Sequence, residues 1–146
     1  MMTDIFEDQK RFMQAGGQTT DLFNLPQLEL YERLIDEEIR ELREALHDDS
    51  GRNQREAVAE IIDGAIDSIV VLAGFLWSMG IDPAEAWREV MRSNMSKVDP
   101  ETGKIEKRED GKILKPSTYS PPDLTPIVDR LAHRIAIEGA VIRGAE

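Results

Sequence analysis

The chain has no cysteine. That excludes a disulfide framework, thiolate metal ligands and thiol catalysis, and it suits a cytoplasmic protein. Positive charge is scarce: 18 Lys and Arg stand against 29 Asp and Glu, a formal net charge of −11. Such a chain repels the phosphates of DNA and RNA and the surface of anionic membranes, so neither polymeric nucleic acid nor membrane is an expected partner. Small phosphorylated molecules stay accessible where metal ions intervene. Aromatics reach only 5%, and the abundance of Leu, Ile, Ala, Glu and Arg leans the composition towards helix. No apolar run has membrane-spanning length. The opening MMTDIFEDQK lacks the basic and apolar regions of a signal peptide.

What is present reads as one all-α domain over residues 1–146. A short amphipathic helix is expected over residues 4–14, with Ile5, Phe6 and Phe12 on one side. AGGQTT then forms a loop. A long helix follows over residues 26–47, capped by Asn24, with Pro26 in its first turn. A second covers residues 54–79 and stops at Gly80. Asp82-Pro83-Ala84-Glu85 has capping-box spacing and starts a third, to about residue 94. Asp123 caps the last helix, expected over residues 124–142. Residues 1–25 form an N-terminal segment, and residues 97–122 an irregular loop. In that loop VDPETGKI and KREDGKIL each carry a turn signal between short runs of strand character.

The acidic residues are unevenly placed. On a wheel of about 100° per residue, Tyr31, Leu34, Ile35, Leu42, Ala45 and Leu46 form one apolar stripe on the first long helix. Glu38 falls in its middle, Glu41 at its edge and Glu37 just beyond. A carboxylate inside a core-facing stripe is costly unless it is paired with arginine or bound to metal. The second long helix is apolar nearly all round, which marks a core or an oligomer interface. Yet Glu60, Asp63 and Asp67 share one strip of it. Carboxylates facing one another from two helices make an oxygen-only site of the kind Mg²⁺ or Mn²⁺ selects.

Glu37-Glu38-x-x-Glu41, followed by Glu60-x-x-Asp63, resembles the EExxE…ExxD signature of the MazG-like all-α nucleoside triphosphate pyrophosphatases. That superfamily includes MazG, the dimeric dUTPases and phosphoribosyl-ATP pyrophosphohydrolase. The likeness continues through Glu89-Val90-Met91-Arg92-Ser93-Asn94-Met95-Ser96-Lys97 and Asp110-Gly111-Lys112-Ile113-Leu114-Lys115-Pro116, and so spans residues 26–131. It is similar to a branch rich in small phage and bacterial enzymes. The resemblance implies a helical bundle completed by a second subunit, as a homodimer or homotetramer. It implies two or three Mg²⁺ or Mn²⁺ ions held by Glu38, Glu41, Glu60 and Asp63, with Glu37 orienting or deprotonating the attacking water or helping to hold a further metal. It implies hydrolysis of a nucleoside triphosphate, with dGTP, GTP or dUTP as candidates, to the monophosphate. Pyrophosphate leaves at once, or phosphates leave stepwise.

Asn94 and Lys97 fall where the family contacts phosphate, and Lys112 and Lys115 are expected to add to the clamp. Asp67, outside the signature, is either a support to a metal ligand or a polar contact of the helix face. Phe12, with Gln14, Gln18 and Asn24, either stacks on and reads a base or packs and caps locally. Trp77 and Trp87 have helical spacings that suit core or interface. Two rivals weigh less. A ferritin-like di-iron bundle needs two Glu-x-x-His units; Glu44-x-x-His47 is one, but His133 follows Arg130 in place of a carboxylate. A non-catalytic nucleotide- or metal-binding assembly module would not be expected to keep the acidic string intact.

Overall fold

The structure is a computed structural model, and it describes residues 2–138. Five helices follow in order: α1 (Ile5–Ala15), α2 (Leu25–Leu46), α3 (Gln54–Ser78), α4 (Pro83–Met95) and α5 (Thr125–Glu138). The expected continuation of α5 to Ile142 lies outside the described residues. Side-chain caps set the helix starts, because the first turn leaves backbone N–H groups unpartnered. Asp4 accepts from the N–H groups of Phe6 and Glu7, Asn24 from Gln27 N at 3.1 Å, and Asn53 from Glu56 N at 3.0 Å. Asp123 accepts from Thr125 N at 3.0 Å at the start of α5. Gly80, at φ +73°, ends α3.

The chain divides into two compact units, one of Met1–Asp82 with Leu131–Glu146, the other Pro83–Arg130. In the first, α2 and α1 both pack on α3. Its core is small: Met13, Tyr31, Val71 and Trp77, with Phe6, Leu34, Ile35 and Phe75 against them. The face of α1 that enters this core carries Gln9 and Met13. Of the apolar side of Ile5, Phe6 and Phe12, Phe12 is 71% exposed and Ile5 is exposed too, so the packing alternative for Phe12 is not realised. Trp77 is buried, donating its indole N–H to Phe6 O at 2.8 Å, and Trp87 is exposed.

A neutral polar network replaces apolar packing under the AGGQTT loop. Gln27 donates to Thr19 O at 2.7 Å and to Ser78 Oγ at 2.9 Å, and accepts from Thr19 N at 3.0 Å. Tyr31 donates its hydroxyl to Gln18 Oε1 at 2.7 Å, Asn24 Nδ2 donates to Thr19 Oγ1, and Gln14 Nε2 to Thr20 Oγ1. Gln14, Gln18 and Asn24 thus hold their own loop together, the local alternative to base reading. Satisfied buried networks of this kind rigidify a core.

The second unit contains α4, two tight turns with Gly103 and Gly111 at positive φ, and the first part of α5 up to Arg130. Both turn signals are realised. The expected strand character is not: among the described residues there are no strands, and only Lys107 and Ile113 form an isolated antiparallel bridge. The flanks are Lys- and Glu-rich, and Ile105 and Ile113 are exposed, so a two-stranded ribbon has no apolar face to stabilise it. No single described helix is long and apolar enough to cross a membrane.

Tyr31 lies flat on Gly74. A Cβ added there would stand 2.1 Å from Tyr31 Cε1. We expect Gly74→Ala to lower unfolding stability by about 1–3 kcal/mol through overpacking, read by chemical denaturation. Unchanged stability would contradict this contact.

Candidate metal and active site

Two glycines bring α2 and α3 together. At Gly64 an added Cβ would meet Leu42 Cα at 3.3 Å, and at Gly74 it would meet the Tyr31 ring. Leu42 is therefore level with Gly64, and Tyr31 with Gly74, which makes the helices antiparallel. Counting between these crossings puts Glu38 level with Asp67 and Glu41 beside Asp63. Glu60 falls beside Ala45 and Leu46, seven residues and about 10 Å along the axis from Asp67 at the helical rise.

The electrostatics agree with this register. The Glu38 carboxyl is held above its ordinary value, first by desolvation, then by the charges of Asp67, Glu41, Glu37 and Asp63. Glu38 and Asp67 are half-buried, whereas Glu37, Glu41 and Asp63 are exposed. Among the described residues none of these five carboxylates forms an ion pair. Like charges crowded without a counter-ion disfavour ionisation. The donor set is all oxygen, which fits a hard divalent cation. The side chains do not yet converge: no group of three or more described His, Asp or Glu side chains forms a ready cage. Closing one requires rotation of the exposed carboxylates.

Glu60 stands apart. Arg52, on the α2–α3 connection, pairs with it, holds Asp48 at 2.6 Å, and donates to Ala45 O at 3.3 Å. Glu60 borders an open cleft of about 660 Å³ with Glu41, Glu44, His47 and Asp48. Asp67 is the residue that the signature spacing left out. Its signal in the sequence was its place on the Glu60–Asp63 strip, one turn beyond Asp63.

In the second unit, Asn94 Oδ1 accepts from Lys97 Nζ at 3.1 Å, at the end of α4. Lys97 and Lys115 line one cavity. Lys112 is not in that lining. It is exposed at the second turn, where its backbone N–H donates to Asp110. Glu89 takes a two-pronged contact from Arg92 at 2.8 and 2.9 Å and the N–H of Asp123 at 2.7 Å. These partners hold its carboxyl down to about 2, and the pair fastens the segment before α5 to α4.

The sequence profile of the phosphoribosyl-ATP pyrophosphohydrolase family matches residues 2–94. The chain belongs to that family. It is a MazG-like, all-α family related to the nucleoside triphosphate pyrophosphatases, and membership makes the chain a pyrophosphohydrolase of nucleoside-triphosphate-like substrates. The matched stretch holds every carboxylate of the α2–α3 pair and Asn94. It ends before Lys97, so the three lysines of the following loop lie outside it. No curated protein matches the chain significantly.

Because folding holds the Glu38 carboxyl above its ordinary value, this group's stability contribution is present below the ordinary carboxylate range and lost as pH rises through its raised value. In EDTA, Glu38→Gln should therefore be more stable than the parent at pH 7. The gap should close as pH falls to about 4. Denaturation series at both pH values test this; a variant less stable than the parent at pH 7 contradicts the crowding.

Proposed function

We propose that the protein hydrolyses a nucleoside triphosphate to the monophosphate in a Mg²⁺- or Mn²⁺-dependent reaction, in control of the cytoplasmic nucleotide pool. The observation that carries this reading is the group of five unpaired carboxylates around Glu38 within the family-matched stretch. Glu38 and Asp67 at one level, with Glu41 and Asp63 at the next, would hold two or three ions. Glu60 joins them if Arg52 releases it. When bound, the metal supplies charge neutralisation of the triphosphate and acidifies a water. Glu37, exposed beside Glu38, would accept the proton of the attacking water as its oxygen bonds to phosphorus and the phosphoanhydride there breaks, releasing pyrophosphate, or phosphate in the stepwise course. Asn94, Lys97, Lys112 and Lys115 contact the phosphates. Phe12 is free to stack on the base, which suits dGTP, GTP or dUTP alike.

The working form is a homodimer or tetramer. Val58, Ile62, Ile66, Ile69 and Leu72 make an exposed apolar row on α3, each at least 45% exposed. A row of that kind marks an interaction surface, and a second copy is the partner the family builds with. Light scattering at micromolar concentration should give at least two chains per particle.

A panel of ribo- and deoxynucleotides with Mg²⁺ tests the activity. We expect release of pyrophosphate, or of phosphate through the diphosphate, from at least one, and a loss of at least about 100-fold in kcat for Glu38→Gln, as for removal of a principal electrostatic group. No release from any nucleotide would refute the reading.

A further inference from the structure

Lys97 and Lys115 are eighteen residues apart, yet both point at one ring. Lys115 Nζ stands 4.5 Å from the Tyr119 ring centroid and Lys97 Nζ 6.0 Å from it. The two ammonium groups are therefore no more than 10.5 Å apart, the two distances laid end to end. Holding two cations together costs Coulomb energy, and the negative face of an aromatic ring offsets it.

The ring itself is fixed to the end of α4. Ser120 N donates to Ser96 Oγ at 2.9 Å, Ser96 Oγ donates to Ser93 O at 2.6 Å, and Tyr119 N donates to Pro116 O at 3.0 Å. Lys97 is further tied to Asn94. The lysines line a cavity of about 170 Å³ that also has Asp99 and Glu106 on its wall. Left mobile, each ammonium would swing to one of those carboxylates. Among the described residues neither lysine forms an ion pair. The Asp99 carboxylate is instead taken by the N–H groups of Glu101 and Thr102.

We propose that Tyr119 is a positioning residue that gathers Lys97 and Lys115 into a two-cation clamp for a polyphosphate chain. This rests on the nucleotide reading above and goes beyond it: Tyr119 carries no charge, lies outside the family-matched stretch, and contributes by where it holds the lysines. An anion spanning both ammonium groups gains from their fixed spacing, because the ordering is done before it arrives.

The test is calorimetric binding of inorganic tripolyphosphate to the full chain in EDTA, which needs neither metal nor turnover. The parent should bind. Tyr119→Leu should weaken binding roughly tenfold, and Tyr119→Phe, which keeps the ring, should stay within about twofold. Lys115→Met should weaken it likewise, and the Tyr119→Leu/Lys115→Met double variant should lose less than the two single losses combined, since both act through one clamp. Parent-like binding by Tyr119→Leu, losses that simply add in the double variant, or no binding by the parent would overturn the proposal. Nucleotide turnover, measured separately, decides the hydrolase reading: turnover with Tyr119-independent tripolyphosphate binding removes the clamp alone.

Discussion

Glu38 and Asp67 come level across two helices that glycine has brought close, and their like charges repel. That repulsion is a consequence of the packing that makes the fold. Gly64 lets α3 approach the backbone at Leu42, and Gly74 lets it receive the Tyr31 ring. Separate the helices and the core of Tyr31, Val71 and Trp77 opens. Keep them together and five carboxylates share one surface. The same contact that stabilises the unit thus creates a site that a divalent cation would relieve. Arg52 shows the alternative solution at the far end of the pair, where a guanidinium already answers Glu60 and Asp48.

Charge is divided between the two units. Pro83–Arg130 carry nine Lys and Arg and nine Asp and Glu, so the whole net charge of −11 belongs to the rest of the chain. A triphosphate is repelled by such a surface without counter-ions. In the neutral unit the basic residues are not outnumbered. There Arg92, Arg108 and Arg130 are already spent on Glu89, Asp110 and Glu85. Lys97 and Lys115 are held on Tyr119 instead, which leaves their charge unmatched by carboxylate.

Helix starts were legible where their caps are local: Asn24 and Asp123 need only the next two or three backbone N–H groups. The acidic string was legible because a carboxylate in an apolar stripe breaks the periodic pattern. Its pairing across helices was not, because register depends on which residues let the backbones touch. Spacing along α3 favoured Glu60, and the contacts at Gly64 and Gly74 bring Asp67 level with Glu38. Arg52 carried no signal, since a lone arginine in a loop is ordinary. For Phe12 the sequence left packing and base stacking open, because the buried face of α1 is set by Gln9 and Met13 and the wheel alone does not show it. The short runs around Gly103 and Gly111 turn as their glycines require, but strands need a face to pack, and none is offered there.

The central claim is that the carboxylates around Glu38 form one divalent-cation site. Calorimetric titration with Mn²⁺ in the absence of nucleotide tests it most directly. The account predicts saturable binding that weakens at least about tenfold in Glu38→Gln and in Asp67→Asn, in the range for a lost ligand or its support, while Glu44→Gln binds as the parent does. Equal Mn²⁺ affinity in the parent and in both site variants would contradict it.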